Sequence, residues 1–88
     1  MKNKVISSLR EVDWKEIPVP MVVIGKNPLD FPGECVARVF NAKTGKPTPF
    51  CILRKTVKEC REEVRKSGFY VKFPRAKTDD KCIVESWM

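Results

Sequence analysis

The sequence predicts a small α+β domain: an antiparallel sheet of about five strands with one helix, in the order β-β-β-α-β-β. Three observations carry this prediction. Short β-branched or alternating segments bounded by Gly, Pro and Asn recur along the chain. One stretch places Val57, Cys60 and Val64 at helical spacing between a capping signal and a glycine. A single short helix can cover only one face of a sheet, which defines the α+β class. The same order also fits an OB-like small barrel, whose helix lies between its third and fourth strands.

The elements follow in chain order. Residues 1–16 lack clean periodicity and read as an N-terminal arm or a short helix with Val5, Ile6 and Leu9 on one face. Residues 17–88 read as the single α+β domain, since 88 residues leave no room for a second. Pro18 and Pro20 favour extended backbone, and Met21-Val22-Val23-Ile24 is the first strand. Gly25 to Gly33 contains Asn27, Pro28, Asp30 and Pro32 and is a loop, with Leu29 and Phe31 as anchors. Cys35 to Phe40 and Pro49 to Leu53 form an antiparallel pair around the turn at Thr44-Gly45-Lys46.

Thr56 as N-cap with Glu59 three residues later is a capping box. The helix runs to about Lys66, and Gly68 stands where a left-handed cap is wanted. Phe69-Tyr70-Val71-Lys72-Phe73 alternates, which predicts a strand with Phe69, Val71 and Phe73 inward. Arg75 to Lys81 is a polar turn, and Cys82 to Met88 is the last strand.

Several function classes are excluded by composition. No apolar run approaches membrane-spanning length. No apolar leader stands at the N-terminus, so the chain reads as cytoplasmic. Cys35, Cys51, Cys60 and Cys82 have no C-x-x-C spacing and no His beside them. They read as reduced, buried small hydrophobes rather than zinc ligands or disulfides. Asp79-Asp80 is the one adjacent carboxylate pair, and it supplies fewer oxygens than a hard cation wants. Thr44-Gly45-Lys46 lacks the earlier Gly and the following Ser or Thr of a phosphate loop, because Phe40 and Pro47 stand there. With no nucleophile–base pair, cofactor loop or metal cluster, the chain does not read as an enzyme and implies no cofactor.

Charge points toward a binding module. The net charge is +7, and the segment up to Glu34 balances to zero, so the excess lies from Cys35 onward. Such a field favours nucleic acid or an acidic protein surface. Candidate contacts are Arg38, Lys43, Lys46, Arg54, Lys55, Arg61, Arg65, Tyr70, Lys72 and Arg75. Arg61 and Arg65 flank the apolar helix stripe and read as open to a phosphate or carboxylate. If Arg38 and Phe40 on one strand shared a face with Tyr70 and Lys72 on another, rings and cations would interleave as in single-strand binding. The alternative is that Phe40 packs in the core and Tyr70 is an ordinary half-exposed ring. A nucleic-acid-binding module is the first expectation. A protein-interaction or inhibitor module of a mobile element, docking on an acidic surface, is the second.

Pro20-Met21-Val22-Val23-Ile24, Pro28-Leu29-Asp30-Phe31-Pro32-Gly33, Val36-Ala37-Arg38-Val39-Phe40 and Phe73-Pro74-Arg75, with Asp79-Asp80-Lys81-Cys82-Ile83-Val84-Glu85, resemble segments of a family of small bacterial and prophage-encoded proteins of unassigned function. The resemblance implies a bacterial or mobile-element origin and supplies no catalytic residues.

Overall fold

The structure is a computed structural model, and it describes residues 4–28, 31–74 and 83–88. Its strands are β1 (Lys4–Val5), β2 (Pro20–Lys26), β3 (Cys35–Asn41), β4 (Lys46–Arg54), β5 (Lys72–Pro74) and β6 (Ile83–Trp87), with helix α1 (Val57–Lys66) after β4. They form one six-stranded sheet in the order β1-β4-β3-β2-β6-β5. This is the expected α+β class with one helix, but two details differ. A two-residue strand within the N-terminal arm makes six strands in the order β-β-β-β-α-β-β, where the sequence predicts about five in the order β-β-β-α-β-β. That strand, β1, runs parallel to β4, so the sheet is mixed rather than antiparallel. Among the described residues β1 and β5 are the two edges and do not pair, so the barrel alternative does not hold.

The predicted turns are present. Asn41 to Gly45 reverse the chain between β3 and β4, with Gly45 at φ +72°, a conformation that costs glycine little. The β2–β3 pair is in continuous register from Pro20–Asn41 to Lys26–Cys35. A bulge between Arg38 and Phe40 shifts the β3–β4 register toward the turn.

Alternation along the strands divides the sheet into two faces. Val22, Ile24, Cys35, Ala37, Val39, Ile52 and Trp87 point to the helix side and pack with Cys60 and Val64 of α1. Thr56 caps α1 by accepting from the Glu59 N–H at 3.2 Å, as its sequence position predicts. Gly68, at φ +97°, ends it in a Schellman arrangement: its N–H bonds Arg65 O and the Phe69 N–H bonds Val64 O.

That cap corrects the reading of 69–73 as one alternating strand. Phe69 is buried as the apolar residue that completes the cap against Val64, and its ring meets Trp14 edge-on at 5.2 Å. Val71 and Phe73, expected inward, are 55% and 45% exposed, and β5 is only three residues long.

Residues 4–16 form β1 and two short 3-10 turns, Leu9–Glu11 and Trp14–Glu16. A complete capping box holds the first turn: Ser8 accepts from the backbone, and the Glu11 carboxylate accepts from the Ser7 and Ser8 N–H groups at 2.9 and 3.0 Å. Ile6, Leu9, Val12 and Ile17 from this region join the same core as α1.

Cys35, Cys51 and Cys60 are buried free thiols; Cys82 lies outside the described residues, as do Arg75 and the Asp79-Asp80 turn. Burial, followed by the neighbouring Cys35, pushes the Cys60 thiol up to about 12.

Two predictions follow from this packing. Leu9 is fully buried, so Leu9→Ala should cost about 3 kcal/mol of unfolding free energy in urea titration. Cys60 should resist alkylation in the native protein at mildly alkaline pH and react once the chain is denatured, as mass spectrometry of the labelled peptide would show.

Candidate functional site

A heavily bonded carboxylate sits between α1 and β6, the strand next to the three that α1 covers. Alternation along β6 turns Glu85 and Trp87 toward the helix, and both are buried, at 3% exposure each. Arg61 grips the Glu85 carboxylate from α1: its Nε lies 3.0 Å from both oxygens and its Nη2 donates to Oε1 at 2.6 Å. The Trp87 indole N–H donates to Oε2 at 2.6 Å. One helical turn on, the Arg65 guanidinium lies 5.5 Å from the centroid of the Trp87 ring.

Burial acts to raise the Glu85 pKa. The hydrogen bonds from Arg61 and Trp87, then the charges of Arg61 and Lys72, outweigh it and hold the carboxyl below its ordinary 4.5. The same pair raises the Arg61 pKa.

A second tie lies on the opposite flank of α1. Glu63 accepts from the Ser8 hydroxyl at 2.5 Å and the Leu9 N–H at 3.2 Å, with Arg54 Nη2 at 3.7 Å. Burial raises its pKa, but these hydrogen bonds and the Arg54 charge leave it lowered. Arg54 also donates to Leu53 O at 2.8 Å and Ser7 O at 2.7 Å. These groups line a shallow polar groove of about 510 Å³ that also includes Arg10, Glu11 and Lys66.

The ten candidate contacts therefore separate by role and place. Arg54 and Arg61 are committed to internal carboxylates, which corrects the reading of Arg61 as open to a ligand: Glu85 takes it. Arg38 lies in the middle of β3 on the face away from α1, with Phe31 stacked 5.6 Å from its guanidinium. Lys43 and Lys46 stand exposed at the β3–β4 turn, and Lys55 is exposed between β4 and the N-terminus of α1. Arg65, Tyr70 and Lys72 are exposed around the C-terminal end of α1, where Lys66 is exposed as well. Tyr70 is 78% exposed, the largest value among the exposed large apolar residues. Arg75 lies outside the described residues.

The condition for a platform of Arg38 and Phe40 with Tyr70 and Lys72, a shared face, is not met. Lys72 pairs with Trp87 and shares its helix-side face, whereas Arg38 and Phe40 face the other way. Among the described residues no group of three metal-ligating side chains comes together. None of the helices is long and apolar enough to cross a membrane. No family model, curated protein or solved structure matches the chain.

Sequence reasoning missed Glu85, the site's organising residue. The available signal was its spacing from Trp87, which puts a carboxylate on an inward face of a strand and demands a partner.

Two changes test the site. Arg61→Ala leaves Glu85 buried without its counter-charge and should cost about 2 kcal/mol, less than the about 3–5 kcal/mol of a fully buried pair because the arginine side chain is 39% exposed. Because the folded Glu85 pKa is lowered, its contribution is present above the unfolded carboxyl pKa and lost as pH falls through the folded value. Glu85→Gln should therefore be less stable than wild type at neutral pH and show a flatter loss of stability below about pH 4.5 in urea titrations at stepped pH.

Proposed function

We propose that the protein is a non-enzymatic nucleic-acid-binding module whose contact surface is the C-terminal end of α1 and the segment leading into β5. The observation that carries this reading is Tyr70, 78% exposed and set among the exposed cations Arg65, Lys66 and Lys72. A ring that contributes little to the core offers a face for base stacking, and cations around it suit phosphates. The net charge of +7 supports an anionic partner in general terms. A prophage-encoded origin, cytoplasmic residence and the lack of catalysis belong to the same proposal.

Fluorescence anisotropy with labelled single-stranded and duplex oligonucleotides tests it. Three or four phosphate contacts should give a slope in log affinity against log salt of about −2 to −3 for single strands and about −3 to −4 for the duplex. Lys66→Glu with Lys72→Glu should weaken binding to both forms by at least about tenfold. Tyr70→Ala should weaken single-strand binding by about 1–3 kcal/mol and spare the duplex. All three positions are exposed, so Tyr70→Ala should keep the wild-type urea midpoint, and the charge-reversed protein should stay folded with a small loss from the Lys72 charge near Glu85. Salt-independent binding, or unchanged affinity in the charge-reversed protein, would refute the assignment.

A further inference from the structure

Among the described residues only two aromatic rings are exposed, and both stand at one edge of the sheet. β5 borders β6 alone, so its other side is free among the described residues. Lys72 shares the helix-side face of Trp87, and Tyr70, two residues before it, has the same parity. Phe73 falls on the opposite face. Tyr70 is 78% and Phe73 45% exposed. Three residues of extended chain separate them, about 10 Å along the strand.

The backbone between the rings is open as well. The Val71 and Met88 backbones exchange hydrogen bonds of 3.2 and 3.0 Å, which makes them a bonded pair. In an antiparallel ladder the next pair, Lys72 with Trp87, is then unbonded, and the Lys72 N–H and C=O point away from β6. One residue between the two rings thus offers an exposed ammonium and an outward N–H. Lysines and backbone N–H groups both donate to phosphate oxygens. Within β5 the other outward backbone is that of Pro74, which has no N–H. The strand therefore presents a single donor where an added peptide strand needs several.

The apolar surface around Phe73 is small. Val71 and Met88 beside it are 55% and 41% exposed, whereas Val23, the next residue inward from Ser86 on this face, is buried. Three side chains fall well short of the roughly 20–30 residues a side of a stable protein interface. They suffice for a base, and rings for bases with cations for phosphates are the recurring chemistry of single-strand binding. A duplex does not fit this edge. Its bases are stacked inside it, and with a persistence length of about 150 base pairs it does not turn around one β-strand.

We propose that the preferred partner of this surface is a single strand that crosses the free edge of β5, with one base on Tyr70, the following phosphates at the Lys72 ammonium and N–H, and a second base on Phe73. The inference rests on the nucleic-acid reading and adds to it the strandedness of the partner and a contact on the far face of the sheet. A path of this length asks for at least about four nucleotides. Arg65, held against the Trp87 ring on the helix side, serves the phosphate on the Tyr70 side of the edge.

The probes are labelled oligothymidines of about two to about ten nucleotides and a duplex, compared by anisotropy at one salt concentration. Affinity should rise steeply up to about four nucleotides, and the longest single strand should bind at least about tenfold tighter than the duplex. Phe73→Leu keeps the apolar cover of its neighbours and removes the ring. It should stay folded in urea titration, weaken single-strand binding at least about fivefold and spare the duplex. In isotope-labelled wild-type protein the single strand should shift the Lys72 amide and the Phe73 ring protons. Wild-type affinity in Phe73→Leu, with Tyr70→Ala still weakened, would overturn the edge crossing and leave the nucleic-acid reading standing. So would duplex binding as tight as single-strand binding, or a Phe73 ring that does not shift. Failure of every oligonucleotide to bind would overturn both.

Discussion

A helix of ten residues cannot cover a six-stranded sheet, and the rest of the structure answers that mismatch. Six strands span about 24 Å, whereas a helix with its side chains is about 10–12 Å across. The helix therefore lies over β2, β3 and β4, the centre and one side of the sheet. What it leaves open on its own side is filled by short irregular pieces: Ile6, Leu9 and Val12 from the N-terminal turns, Trp14 and Ile17 beyond them, and Phe69 from the helix cap. None of these pieces could hold a stable conformation alone, since a 3-10 turn of three residues has too few internal bonds. They are fixed by what they bury and by the carboxylates that reach them.

Two glutamates with opposite neighbours supply those ties. Glu63 leaves α1 on one flank and binds Ser8 and Leu9, so the N-terminal turns are fastened to the helix through a side chain. Arg61 leaves it on the other flank and meets Glu85, fastening the helix to β6. Each tie places an acid beside an arginine in a half-buried setting. This explains why the positive charge in the sequence overstates the charge available to a partner. Arg54 and Arg61 are spent on keeping the cover attached, and the cations left exposed at the helix end are Arg65, Lys66 and Lys72. The exposed lysines and the committed arginines match the different chemistry of the two side chains, since the planar guanidinium suits a bidentate carboxylate and the ammonium keeps its hydration.

Local signals made much of the fold legible. The cap at Thr56, the end at Gly68, the strand Met21 to Ile24 and the turn at Gly45 each depend on residues within a few positions of one another, and each is where the sequence places it. Interactions between distant segments were not legible in the same way. Residues 4–16 have no periodicity because a 3-10 turn shows too few residues to establish one, and their burial depends on a sheet that forms elsewhere in the chain. The stretch 69–73 misled for a related reason. Its alternation is real, but the Schellman cap claims Phe69 for the helix, and Val71 and Phe73 fall on the sheet face that the helix does not cover. In the candidate site, Tyr70 could be read outward from its neighbours alone. The partner of Arg61 could not, because Glu85 is 24 residues away and only the pairing of β6 with β2 brings it beside the helix.

The short stretch after the cap serves both faces of the sheet, which follows from strand geometry. Once the cap has turned Phe69 into the core, the chain leaves the helix end in an extended form, and successive side chains go to opposite faces. Lys72 joins Arg65 on the helix side, while Val71 and Phe73 lie on the other. An edge strand of three residues thereby sets a cation near the exposed Tyr70 on one face and an exposed apolar ring on the other. β5 is held by its pairing with β6, whose Glu85 is in turn locked to Arg61. Loosening that ion pair would reach β5 through β6 without touching a residue of the proposed contact surface. The buried carboxylate is therefore the point at which the stability of the fold and the placement of its edge strand depend on a single interaction.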